Sequence, residues 1–205
     1  NGFTPSLSIS YNSGAGNSVL GIGWGLDFPS IQRKTDKRLP RYRDFSDDED
    51  TFMFSGAEDL VPILEPDGTG WKQVKTASGD YSVQRFRPRI EGAFSKIERI
   101  KVSQKTAEPA VEKVEVYWRV TDRSNTTTIF GRSEACRIAH PKNPSRVFQW
   151  LPEFSFDDKG SVVLFEYKNE DFENLPDTIY NLNRRDKNGT LRFTNKYLKR
   201  IRYGN

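Results

Sequence analysis

The sequence predicts an all-β fold built from antiparallel strands and hairpins. Three observations lead there. Apolar and polar residues alternate with a period of two in several short runs, the signature of a half-buried strand. Clusters of Asn, Asp, Ser and Gly separate those runs and mark turns. Helical periodicity is almost absent, and only residues 131–139 could hold a turn or two. The chain has 205 residues with 14 Phe, 8 Tyr and 4 Trp, so the expected core is thin in aliphatic groups and rich in rings.

Taken in order, Leu7, Ile9 and Tyr11 alternate with Ser8 and Ser10 to make the first strand, and a turn cluster covers Asn12 to Gly16. Trp24, Leu26 and Phe28 alternate with Gly25 and Asp27 until Pro29 stops the run. Thr51 to Ser55 and Tyr81 to Phe86 read as further short strands. The strongest pattern is Val114 to Val120: Val114, Val116, Trp118 and Val120 share one face, and Glu115, Tyr117 and Arg119 share the other. A polar turn at Asp122 to Asn125 leads into Thr126 to Phe130, which makes a hairpin. A second hairpin joins Phe154 to Phe156 with Ser161 to Tyr167 through Asp157-Asp158-Lys159-Gly160. A third is expected at Asp186-Lys187-Asn188-Gly189, because Asn-Gly accepts positive φ, and it leads into Thr190 to Phe193. In the closing strand, strict alternation puts Tyr197, Lys199, Ile201 and Tyr203 on one face and Lys196, Leu198, Arg200 and Arg202 on the other. Residues 104–112, with Glu108-Pro109, read as a surface loop.

Charge is placed unevenly. The net charge is +4, yet residues 184–205 hold eight of the 32 basic residues and one of the 28 acidic ones. The remaining chain is slightly acidic. A basic tail of this kind differs from the basic face with stacking aromatics that nucleic-acid binding asks for, so no nucleic-acid partner is expected. Cys136 is the single cysteine, so no intrachain disulfide can form. No apolar run approaches the roughly 18 residues of a membrane helix, and direct membrane insertion is not expected.

Each group that could carry chemistry has a plainer structural reading. Gly21-Ile22-Gly23-Trp24-Gly25 lacks the strand-then-helix context of a phosphate loop and reads as a glycine turn beside a buried Trp24. Asp44, Asp47, Asp48, Glu49 and Asp50 lack calcium-loop spacing and read as a solvated acidic loop. Asp186 to Thr190 lacks the closing bidentate Glu of such a loop. Cys136 and His140 are four apart, which would bring them together on a helix, but Pro141 follows at once. Glu58-Asp59 and Asp157-Asp158 are adjacent, so in strands they point to opposite faces. No catalytic residue, cofactor or metal site is expected. The cationic face Lys196, Arg200 and Arg202 has two readings: contact with an acidic neighbour, or protection of a sheet edge.

Three stretches carry a resemblance. They are Pro5 to Asn17 running on through Gly21 to Trp24; Pro29 to Lys37 with Pro40-Arg41-Tyr42 and Ser55 to Pro62; and Tyr197 to Asn205. Together, in this order, they resemble the SpvB-type domain, which opens the B component of insecticidal toxin complexes and the Salmonella virulence plasmid B protein. Its signature positions here are Gly14, Gly16, Asn17, Gly21, Gly23, Trp24, Gly56, Tyr203, Gly204 and Asn205. Two segments also resemble tyrosine-aspartate repeats of Rhs-type proteins.

The resemblance implies a β-rich structural domain, part of the wall of an Rhs-like shell that encloses a toxic cargo in a secreted toxin. It implies as partners an Rhs-repeat C component, a toxin A component and other domains of the same polypeptide. It also allows an alternative, a translocation or adhesion module that delivers an appended ADP-ribosyltransferase. That transferase's motif is not present in residues 1–205, so no enzymatic activity is expected. The start at Asn1-Gly2 suggests a fragment, cut at its N-terminus and continuing beyond 205.

Overall fold

A computed structural model describes the chain except residues 1–4, 6, 19, 47, 48, 57, 91, 93, 106–111, 175, 177, 184–193 and 205, and the side chains of 104, 105, 112, 113 and 182. The described residues are nearly all strand, and every strand pairing is antiparallel. The first part is an extended double ribbon. Strand β1 (Ser8–Tyr11) pairs with β4 (Trp24–Asp27), and between them β2 (Asn17–Ser18) pairs with β3 (Gly21–Ile22).

The main sheet begins with β5 (Ile31–Arg33), β6 (Phe52–Phe54) and β7 (Glu58–Pro62), each beside the one before. An excursion follows: β8 (Leu64–Asp67) and β9 (Gly70–Gln73) form a separate hairpin, and β10 (Lys75–Ser78) lies on β11 (Tyr81–Pro88). Strand β11 also pairs with β7 and with β12 (Lys96–Lys105), which pairs with β13 (Glu112–Thr121) along ten residues. Strand β14 (Thr127–Phe130) returns beside β13 through the Asp122–Asn125 turn. Asp122 Oδ1 accepts from the backbone N–H of Ser124 and of Thr126, and Asn125 takes φ 61°.

Closure comes from one long bent hairpin. Beyond β14 lie a single 3-10 turn (Glu134–Cys136) and β15 (Arg137–His140); the return leg is β16 (Asn143–Trp150) and β17 (Pro152–Phe156). Strand β15 pairs with β16, and β14 with β17. Strand β16 also pairs with β5, the first strand of the sheet. A single residue, Leu151, separates β16 from β17, so the sheet bends back upon itself into a barrel-like wall. Gly131 marks the joint. Its N–H donates to Leu151 O at 2.8 Å, its φ is +60°, and a Cβ there would stand 2.5 Å from Trp150 Cδ1. Only glycine fits such an approach without strain.

Beyond the barrel the sheet continues as β18 (Val162–Asn169) on β17, and β19 (Lys196–Tyr203) on β18. Among the described residues between them lies one short helix, α1 (Ile179–Leu182).

Rings fill the interior, as the composition predicts. Phe52, Phe86, Trp118 and Trp150 pack edge-to-face or tilted, with centroids 5.0–6.1 Å apart. Ile31, Leu60, Ile97, Val120, Phe130 and Val147 complete the buried cluster. Trp118 and Val120 are buried as the alternation predicts, while Val114 at the outer end of that face is exposed. The third expected hairpin lies outside the described residues.

Candidate functional sites

The acidic segment between β5 and β6 is not a solvated loop. It folds back over two arginines that point into the barrel, Arg33 and Arg99, both with fully buried side chains. Arg33 Nη1 donates to Asp50 Oδ2 at 3.0 Å, Nη2 to Asp44 Oδ2 at 2.8 Å, and Nε to Val147 O at 2.7 Å. Arg99 Nη2 donates to Glu49 Oε2 at 2.7 Å, and its Nε to Gln84 Oε1 at 2.8 Å. Both guanidinium groups lie over the Phe52 ring, at 5.2 and 4.9 Å from its centroid.

Burial would push the Asp50 carboxyl up, but the N–H groups of Arg41 and Tyr42, together with Arg33, outweigh it and hold Asp50 below its ordinary value. Desolvation lowers the Arg99 guanidinium, with Glu49 and Asp44 opposing. Tyr42 and Phe45 take φ of 57° and 65°, a left-handed conformation that the ion pairs hold in place. Asp44, Glu49 and Asp50 therefore face arginines and backbone amides and not a metal ion, with Asp44 Oδ1 left 3.9 Å from Arg99 Nη1 without a hydrogen bond; Asp47 and Asp48 lie outside the described residues. Among the described residues no cluster of three or more His, Cys, Asp or Glu could hold a metal ion.

The remaining chemical candidates stay apart. Cys136 is buried at the end of the 3-10 turn, and burial pushes its thiol up to about 11. His140 sits at the other end of β15, exposed, its Nδ1 accepting from the N–H of Lys142. Asp59 binds Lys34 at 2.7 Å, and Asp157 accepts from the N–H groups of Lys159 and Ser161 to hold a turn.

The glycine segment makes turns, as expected: Gly21 and Gly23 take φ of 105° and 79°. Trp24, expected to be buried, is 45% exposed. Its one ring neighbour among the described residues is Tyr11, directly across the ribbon at 5.1 Å. A two-stranded ribbon has no second layer to cover it. Gly14 N–H donates to Asn12 Oδ1, Gly16 O accepts from Gly23 N–H, and Asn17 stands opposite Ile22. Gly56 turns the chain between β6 and β7 at φ 72°, and Gly204 follows β19 at φ 112°. Tyr203 stands opposite Val163 and is 61% exposed; Asn205 lies outside the described residues.

The expected cationic face is divided. A register shift between Glu166 and Tyr167 interrupts the alternation of β19, pairing Leu198 with Tyr167 but Arg200 with Glu166. Arg200 and Arg202 stay together on the face of Glu166 and Leu164. Lys196 stands opposite Asn169 and lines a cleft with Leu198, Tyr167, Leu151 and the ribbon residues Leu20 and Leu26. Burial there lowers its ammonium. A one-residue bulge is invisible to a strict period-two reading.

The family model described as "Salmonella virulence plasmid 65kDa B protein" matches residues 1–205, the whole chain. The chain belongs to the SpvB family. Relatives named mono(ADP-ribosyl)transferase SpvB, from Salmonella typhimurium and Salmonella dublin, are 30% identical over 210 residues. That match covers 100% of this chain and 32% of each relative, so the chain spans about a third of their length. The solved N-terminal domain of effector protein SpvB from Salmonella typhimurium superposes with TM-score 0.78 at 29% identity, covering 100% of this chain and 60% of that one. The crystal structure of TcdB2-TccC3-Cdc42 gives 0.76 at 25% identity, with 99% of this chain on 9% of that one. The Photorhabdus luminescens Tc holotoxin pore gives 0.75 at 26%, with 98% on 8%. This SpvB-family chain is thus a toxin-related β domain that matches the N-terminal region of its transferase relatives.

Proposed function

We propose that this domain acts by assembly: it forms part of the wall of a secreted toxin shell that encloses a toxic cargo and helps deliver it to host cells. The observation that carries this reading is the superposition of 99% of the chain on a TcdB2-TccC3 structure at 25% identity. The interior agrees with it. Rings and two paired arginines fill the barrel, so its core is occupied by its own side chains. The partners that follow are an Rhs-repeat C component, a toxin A component and neighbouring domains of the same polypeptide.

A second reading is favoured by the SpvB relatives: a module that delivers an appended ADP-ribosyltransferase. Size-exclusion chromatography with light scattering separates the two. The measurement takes the polypeptide that carries this domain, alone and mixed with an Rhs-repeat C component. Stoichiometric co-elution is expected for a shell wall. A monomer that ignores the C component would overturn it in favour of the delivery module.

A further inference from the structure

The inward row of the sheet that runs through Gln84, Arg99 and Trp118 carries polar atoms that the packing of the barrel leaves unused. Arg99 donates through Nε and Nη2 to Gln84 and through Nη2 to Glu49, while its Nη1 makes no hydrogen bond among the described residues. Its side chain has no exposed surface, so bulk solvent does not reach that group. Asp44 Oδ1 is the matching acceptor: it too is buried without a hydrogen bond, 3.9 Å from Arg99 Nη1. Two contacts keep the atoms apart. Asp44 Oδ2 is held on Arg33 Nη2 at 2.8 Å, and the next residue, Phe45, places its ring centroid 4.3 Å from the Arg99 guanidinium carbon with its backbone at φ 65°. A third buried donor without a hydrogen bond, Trp118 Nε1, belongs to the residue across the ladder from Arg99, and that ring's centroid is 5.8 Å from the guanidinium carbon. Leaving a buried donor and acceptor unpaired is costly, and native interiors resolve it through a protein group or an ordered water.

The span and the charges select what joins the pair. Two hydrogen bonds of about 2.8 Å that meet near a right angle span about 4 Å, so a single bridging atom suffices. A metal ion there would face the Arg99 guanidinium, and an anion would face the Asp44 carboxylate. A water molecule is neutral, and it can accept from Nη1 while it donates to Oδ1. Asp44 also lines a cleft of about 490 Å³ with Tyr42, Phe45, Lys101, Val147 and Trp150, which gives the site a route to solvent.

We propose that one ordered water molecule binds between Asp44 Oδ1 and Arg99 Nη1 and ties the acidic segment to the barrel. The tie runs from Arg33 on β5 through Asp44 and the water to Arg99 on β12, two strands that β6, β7 and β11 separate in the sheet. It therefore joins parts of the wall that no ladder connects directly. The test is crystallography of the polypeptide that carries this domain, at a resolution that shows ordered water. Oxygen-17 relaxation dispersion, which counts long-lived internal waters in solution, goes beside it. The wild type is expected to show density within hydrogen-bond distance of both atoms, with no anomalous signal there after a bromide soak. Asp44→Glu lengthens the carboxylate by one methylene, enough to reach Nη1 directly, so the count in solution should fall by one. A direct Asp44–Arg99 hydrogen bond in the wild type, an ion at that position, or a count unchanged by Asp44→Glu would overturn the water site. Should Asp44→Glu fail to fold, the wild-type density and its bromide soak decide alone. The outcome is independent of co-elution with a C component, so this site and the shell reading fail separately.

Discussion

Arg33 and Arg99 are charged groups in an interior otherwise made of rings, and each is tolerable because carboxylates face it: Asp44 and Asp50 at Arg33, and Glu49 at Arg99, whose Nη1 makes no hydrogen bond and lies 3.9 Å from Asp44 Oδ1. Removing one partner of a buried pair costs more than the pair contributes, since the other charge is left desolvated. Arg33→Met should therefore destabilise the domain by about 3–5 kcal/mol, seen as a fall in Tm of about 10 °C by calorimetry. The pH dependence follows from Asp50. Its folded value lies below its ordinary 3.8, so its contribution is complete above that pH and is lost as pH falls through the folded value. Denaturant midpoints should drop below about pH 4, and Asp50→Asn should flatten that acid limb. Cys136 behaves oppositely as a reagent. Its thiol, pushed up to about 11, holds little thiolate at pH 8. A disulfide reagent such as DTNB should label it slowly in the folded domain and fully in denaturant.

Two elements decide the shape. One is the joint at Gly131, where a positive φ coincides with close approach to Trp150. Gly131→Ala should cost about 2 kcal/mol or more, by combining left-handed strain with overpacking. Urea unfolding would show it as a lower midpoint at unchanged slope. Gly56→Ala, with φ +72° but nothing near its Cβ, should cost about half as much. The other element is the N-terminal ribbon. Its apolar face carries Ile9, Tyr11 and Trp24 at 62, 60 and 45% exposure. Few packed groups hold it, and local opening follows packing.

Across the whole molecule, stability should thus be graded. Hydrogen exchange should find the amides of β12 and β13 slowest, because these strands are paired on both sides and line the ring-filled core. Amides of β1 and β4 should exchange orders of magnitude faster. A uniform rate over both regions would show that the ribbon is as firmly packed as the barrel, which its exposure argues against. A body graded in this way would suit the wall role proposed above: a ring-filled barrel carries a ribbon with one apolar face.

Local alternation and turn chemistry made several strands readable: β1, β4, β6, β11, β13, β14, β17, β18 and β19 appear close to where their patterns place them. Strand β12 was not legible, because Lys96, Glu98, Arg99 and Lys101 interrupt its apolar residues. Glu98 is only 2% exposed despite its charge, covered by Arg119 at 2.8 Å and Lys96 at 2.9 Å. Arg99 is buried on the opposite, inward face. Residue type alone cannot tell a solvated charge from one whose partner arrives from 50 positions away, as Glu49 does for Arg99. Residue order alone was enough for the all-β class, the ring-rich core, the hairpin turns at 122–125 and 157–160, and the family. It took the folded chain to reveal that β16 and β17 close the sheet, that the acidic segment pairs inward, and that a bulge parts Lys196 from Arg200 and Arg202. The physical reason is common to all three: period and propensity act over a few residues, whereas sheet closure, ion pairing and register are set by groups far apart in the chain.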